Sequence, residues 1–194
     1  MLSGRMDEGS LPPLTSLGRD ITRWPTCRGL RHDARMDIKG EGSVDIISGR
    51  QDPDAVERLL RSLPDWFGIE ESLKEYVEDA RSKPTYLAVD PPSNEVLGAL
   101  LVTQHNRESA GIHLLAVSPE HHRQGVGRAL VAAFEGDMRT AGVKVLQVKT
   151  LGPSRPDEAY ARTLRFYLAL GYIPLEEIHG LWAENPCLIL VKTL

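Results

Sequence analysis

The sequence predicts an α/β domain, a mixed sheet of about seven strands with helices on both faces. Three observations carry that expectation. A strand-like run, a glycine-bearing turn and a helical period follow one another without a break over residues 112–130, I-H-L-L-A-V-S-P-E-H-H-R-Q-G-V-G-R-A-L. Segments with apolar residues at helical spacing alternate with short apolar runs bounded by Pro, Gly, Asn and Ser. The chain has 194 residues, 41% hydrophobic and 26% charged, enough for one domain with a sizeable core.

Taken in order, residues 1–36 lack apolar periodicity and mix Gly, Pro, Ser and Arg, punctuated by Met1, Met6 and Met36. They contain no apolar stretch of a secretory signal, and Asp7, Glu8, Asp20 and Asp33 speak against a transit peptide. The segment reads as a disordered N-terminal extension, with the domain spanning 37–194. Val44, Ile46 and Ile47 mark a short strand over Ser43–Ser48. Asp52 and Pro53 supply an N-cap and a proline at the first helical position, Asp54 and Glu57 have capping-box spacing, and Val56, Leu59, Leu60 and Leu63 form the buried stripe before Pro64. Ile69, Leu73, Tyr76, Val77 and Ala80 mark a second helix, stopped before Pro84. Trp66 and Phe67 lie between the two helices, and a hydrophobic plug over the core is their simplest role.

Strands are expected over 85–89 and 96–104, joined by the turn-rich D-P-P-S-N-E. The next strand, 111–117, alternates so that Gly111, His113, Leu115 and Val117 share one face. Ser118 and Pro119 stop it, and Val126, Ala129, Leu130, Ala133 and Phe134 begin a helix ending near Gly142. A strand over 144–150, a Pro- and Gly-bearing loop over 151–157 and a helix over 160–171 follow, with Asp157 and Glu158 read as caps. Two last strands, 172–178 and 187–192, flank the connection H-G-L-W-A-E-N-P, where Trp182 reads as a packing residue.

Chemistry concentrates in the turn 121–127. Backbone N–H groups at a helix start have no intrahelical partner and lie at the positive end of the helix dipole. Gly125 and Gly127 let the backbone close on a bulky anion, and Arg123 and Arg128 add positive charge, so the turn reads as a diphosphate cradle. A tight packing turn would use glycine in the same way. Leu130 breaks the dinucleotide pattern G-x-G-x-x-G, and the P-loop pattern is absent. A net charge of −4 argues against broad nucleic-acid binding. No apolar run reaches membrane-spanning length, so no membrane association is expected. Cys27 and Cys187 have neither metal-ligand nor disulfide spacing, which fits a cytoplasmic protein without a metal.

V-S-P-E-H-H-R-Q-G-V-G-R-A-L resembles the [QR]-x-x-G-x-[GA] signature of the GNAT acyltransferase superfamily, with His122 at the Gln/Arg position. F-Y-L-A-L-G-Y at residues 166–172 resembles the end of that family's N-x-x-A-x-x-F-Y-x-x-x-G-[FY] helix, with Tyr160 and Thr163 departing from Asn and Ala. The resemblance covers about residues 44–194 and implies a GNAT-like, mostly antiparallel sheet. It also implies N-acetylation by acetyl-CoA, transferred directly in a ternary complex to a primary amine of a small molecule or peptide. On that basis His122, Arg123, Gln124, Gly125, Val126, Gly127 and Arg128 grip the diphosphate. The backbone of Leu115, Ala116 and Val117, together with Tyr160, meets the pantetheine arm, and Trp66 and Phe67 wall the acceptor site. Pairing of the C-terminal strand would allow a homodimer.

Tyr167 falls where the family places the acid that protonates the leaving thiolate; with an ordinary pKa of about 10 a tyrosine keeps its proton at neutral pH. The family's glutamate base aligns with Gly111, which has no side chain, leaving His113 as a candidate base beside a structural role or a water relay. A catalytically silent acyl-CoA-binding or sensing domain is the alternative function; it would keep the cradle and have no need of Tyr167.

Overall fold

The computed structural model describes residues 33–38, 42–182 and 185–194. The described elements run β1 (Asp33–Asp37), β2 (Ser43–Ser48), α1 (Pro53–Arg61), α2 (Glu70–Asp79), β3 (Thr85–Val89), β4 (Val96–Asn106) and β5 (Ser109–Val117). A single 3-10 turn over Pro119–His121 then leads to α3 (Val126–Thr140), β6 (Val145–Leu151), α4 (Glu158–Ala169), β7 (Ile173–Trp182) and β8 (Asn185–Thr193). The strands form one eight-stranded sheet in the order β1-β2-β3-β4-β5-β6-β8-β7. Of the described pairings only β5 with β6 is parallel. The expected mixed, mostly antiparallel sheet is therefore present, with one strand more than expected. The extra strand, β1, begins at Asp33 inside the stretch read as an extension and pairs with β2 from Asp33–Ile47 to Asp37–Ser43. The remainder of that stretch, residues 1–32, lies outside the described residues.

Two apolar layers sandwich the sheet. On one face Val126, Leu130, Phe134 and Met138 of α3 and Tyr167 of α4 pack on Ile46, Leu100, Ile112, Leu146 and Val148. On the other, Val56, Leu59 and Leu60 of α1 and Leu73 of α2 cover Leu87, Ala99, Leu101, Leu114 and Ala116. The 3.6-residue stripes of the helices and the two-residue period of the strands thus meet as the sequence requires. Asp52 caps α1, accepting from Ala55 N–H at 3.0 Å, ahead of Pro53. Glu57 is engaged elsewhere, pairing with Arg61, which also reaches Glu70 at 3.1 Å and so ties α1 to α2. Asp157 caps α4, its carboxylate accepting from Tyr160 N–H at 2.9 Å.

Three expectations are corrected. The alternation in β5 reverses: Ala110 and Ile112 face α3, whereas Leu114 and Ala116 face α1 and α2, and Leu115 and Val117 pack toward α3. The cause is a bulge, because Leu101 pairs with Leu114 and Val102 with Ile112, leaving His113 as the extra residue. His113 therefore does not share a face with Leu115 and Val117. Ile69, expected among the residues that mark the second helix, stands just before α2 as its N-cap and is exposed. Finally, β7 runs on through Trp182, so most of the connection expected after residue 178 is strand.

Candidate active site

The bulge marks where the sheet opens. β5 and β6 pair from Ser109–Val145 to Ile112–Val148 and no further, although β5 continues to Val117 and β6 to Leu151. Past the last pair the strands splay, leaving residues 113–117 without a strand partner on that side. A cleft of about 610 Å³ occupies the splay, lined among others by Leu115, Ala116, Val117 and Val148 from the strands.

At one end of the cleft stands the start of α3. Gly125, its N-cap, has φ of +105°, a left-handed conformation that only glycine adopts without strain. No side chain caps this helix, and its first hydrogen bond is from Ala129 N–H to Gly125 O at 2.9 Å. The amides of Val126, Gly127 and Arg128 therefore precede the hydrogen-bond ladder, at the positive end of a 15-residue helix. Arg123, itself at φ 63°, and Arg128 stand exposed beside them. Gly127 has a second task, since a Cβ there would come within 3.4 Å of the Phe166 ring where α3 approaches α4.

The walls come from both faces of the sheet. Tyr167, on α4, is 4% exposed and lines the cleft, and burial pushes its hydroxyl pKa well above the ordinary value. From the α1–α2 side, His113 Nε2 lies 2.6 Å from Asp79 Oδ2, and Asp79 in turn lies 3.4 Å from Lys83. Tyr76 packs edge-on against the imidazole at 5.5 Å between ring centres. Burial lowers the His113 pKa, outweighing the carboxylate beside it, so the neutral ring donates Nε2–H to Asp79 and leaves Nδ1 as the acceptor. The candidate proton acceptor and proton donor thus flank the splay from opposite faces.

Trp66 bridges the two sides. Its indole N–H donates to Thr163 Oγ1 at 3.0 Å, the Tyr160 hydroxyl donates to its carbonyl at 3.2 Å, and the Arg162 guanidinium lies 5.3 Å from its ring. The His122 ring meets Trp66 edge-on at 5.9 Å and donates Nε2–H to Val117 O at 2.8 Å. His122 thus stitches the turn to the end of β5.

Of the residues singled out from the sequence, Trp66, Phe67, His113, Leu115, Ala116, Val117, His122, Arg123, Gly127, Tyr160 and Tyr167 line this one cleft. Gln124, Gly125, Val126 and Arg128 do not. Gln124 donates to Glu120 O at 2.7 Å, and Val126 is fully buried, so only its backbone is available. Trp182, read as packing, also lines the cleft, whereas the 151–157 loop lines a smaller cavity with the start of α4. Sequence reasoning gave no place at the site to Tyr76, Asp79, Lys149, Thr150 and Arg162, whose local patterns mark at most a helix or a strand and which reach the cleft region only through tertiary packing. At Gly111 a Cβ would sit 2.7 Å from His105 Nε2, so that imidazole occupies the space a longer side chain would need. Among the described residues no group of three or more His, Cys, Asp or Glu could hold a metal, and no helix is long and apolar enough to cross a membrane.

A helix start free to take an anion and an unpaired strand edge open into one cleft, an arrangement whose shape and chemistry suit an elongated ligand with a phosphate-bearing end. The chain belongs to the acetyltransferase (GNAT) family, whose model matches residues 54–172. No curated protein matches the chain in sequence. Among solved structures it is similar to a GNAT-family protein from Desulfovibrio desulfuricans, at 21% identity and a TM-score of 0.66, over 76% of this chain and 98% of that one. It is similar to a GNAT family acetyltransferase from Elizabethkingia anophelis with acetyl-CoA bound, at 18% identity and a TM-score of 0.59, over 78% and 98% of the chains. An aminoglycoside 6'-N-acetyltransferase complexed with coenzyme A is also similar, at 20% identity and a TM-score of 0.60, over 76% and 96%. At these identities the likenesses show the fold.

Proposed function

We propose that this protein is an acetyl-CoA-dependent N-acetyltransferase that moves an acetyl group directly to a primary amine, with both substrates held at once. The observation that carries the reading is the convergence of an uncapped helix start, an unpaired strand edge and a buried tyrosine on one cleft. The residues fit coenzyme A. The amides of Val126, Gly127 and Arg128, with Arg123, suit its diphosphate, and the open edge of residues 115–117 suits the amides of its pantetheine arm.

Acetyl-CoA supplies the acyl group as a thioester, activated toward attack by an amine. The chain supplies orientation and proton traffic. Backbone N–H on the β5 edge donates to the thioester oxygen, where negative charge grows during attack. His113, held through Nε2 by Asp79, takes the proton that the amine must lose. Because burial keeps its pKa below the ordinary value of about 6.5, the ring is ready to accept at neutral pH. Tyr167, kept protonated by burial, gives its proton to the departing thiolate. One proton leaves the amine and one reaches the sulfur, so the protein ends each turnover by exchanging a proton between His113 and Tyr167 through solvent.

The test is thermal melting of the full chain against acetyl-CoA concentration, followed by free-thiol release with a panel of amines. A ligand that binds only the folded state raises stability by about 2.7 kcal/mol at a hundred times its Kd. Rising Tm with amine-dependent thiol release is expected. A flat Tm at millimolar acetyl-CoA overturns the cofactor reading, and a rising Tm with no thiol release favours a silent binding domain.

A further inference from the structure

We infer that the amine accepted by this site also carries a carboxylate on an apolar, aromatic-sized body, as an apolar α-amino acid does; this rests on the acetyl-transfer reading above. The last residues paired between β5 and β6 are Ile112 and Val148. Both pack toward α3, so the next residues, His113 and Lys149, are the first to stand free at the mouth of the splay, on the α1–α2 face. Both line the cleft. Lys149 is exposed; its backbone pairs with Ile189 of β8, but its ammonium forms no ion pair or hydrogen bond among the described residues. A candidate proton acceptor and an unspent cation therefore face each other across the opening.

The rest of the lining agrees. Trp66, Phe67, Tyr76 and Trp182 give this part of the cleft aromatic walls. Among the described lining residues there is no carboxylate, and Asp79 is committed to His113 and Lys83 behind the wall. An aminoglycoside or polyamine, multiply cationic at neutral pH, would set its charges against Lys149 and Arg162 with nothing to neutralise them. A carboxylate one carbon from the amine instead pairs with Lys149 while the nitrogen faces His113, and the apolar side chain lies on the rings. Thr150, next to Lys149 in β6 and also lining the cleft, adds a second sign of a polar ligand atom, because its buried hydroxyl has no partner among the described residues.

The experiment compares kcat/KM of the full chain for L-phenylalanine, L-tryptophan and L-leucine with the amide of each, which keeps the amine and side chain and lacks the negative charge. Kanamycin serves as the polycationic arm. A preference of about tenfold or more for at least one free acid over its amide is expected, the size of one charge-assisted contact. Lys149→Met should bring that ratio toward one, and Lys149→Glu should reverse it. Lys149 is exposed, so matched melting curves of the variants confirm that folding is intact. A preference for the amides or for kanamycin, or a ratio unmoved by Lys149→Met, overturns the inference and leaves N-acetylation standing. Thiol release with none of the amines, while acetyl-CoA still raises Tm, overturns both.

Discussion

At the scale of single residues, the proposed chemistry rests on two side chains, Tyr167 and His113, whose pKa values burial shifts. Replacing Tyr167 with Phe removes only the hydroxyl from a packed position, so the fold should stay and coenzyme A affinity should hold. Thiol release should fall about a hundredfold, the lower range for loss of a general acid, as followed by free-thiol assay. For His113 the direction of the shift fixes the pH dependence. In the proposed mechanism the neutral ring is the active form; its pKa lies below the ordinary value, so the acid limb of the kcat/KM profile should have its midpoint under about pH 6.5. Asp79 opposes that shift by favouring the charged ring. Asp79→Asn should therefore move the limb to still lower pH while reducing kcat, because the imidazole loses its orienting acceptor. A purely structural Asp79 would lower stability and leave the limb where it is. The same sign governs stability: below the ordinary histidine pKa the unfolded chain binds the proton that buried His113 resists, so this group's contribution is lost as pH falls.

At the scale of elements, the start of α3 and the bulge in β5 shape the candidate site. Gly125 meets nothing closer than 4.0 Å where a Cβ would stand, so Gly125→Ala is strained by its φ of +105° alone. It should destabilise the protein by about 1 kcal/mol or more and weaken acetyl-CoA binding, read from melting with and without ligand. Gly136, exposed in the middle of the same helix with open space around it, gives the opposite sign. Gly136→Ala should stabilise by about 0.5–1 kcal/mol without altering the acetyl-CoA titration. The cradle at residues 122–128 was legible in the sequence because a strand, a turn and a helix lie contiguous there. The bulge was not. One inserted residue reverses the two-residue period, and whether a strand absorbs it depends on the partner opposite, here Leu101 and Val102 of β4.

At the scale of the whole molecule, the two apolar layers stabilise the sheet whose opening forms the cleft. Leu130, fully buried between α3 and the strands, should cost about 2–5 kcal/mol as Leu130→Ala, seen as a lower urea midpoint at unchanged m. The sequence by itself determined the helices, most of the strands, the glycine-bearing turn ahead of α3 and the place of Tyr167 on α4, since each follows from periodicity, capping residues or a contiguous motif. It also placed Trp66 and Phe67 between α1 and α2, from where they reach the cleft. Only the tertiary structure decided that β5 and β6 part after Ile112 and Val148, and that His113 leans on Asp79 from a neighbouring helix. It alone brought Lys149 opposite His113, turned Trp182 into the cleft and bound Trp66 to α4. Those contacts join residues dozens of positions apart, whose meeting depends on sheet order and strand register, and no local pattern in the chain encodes either.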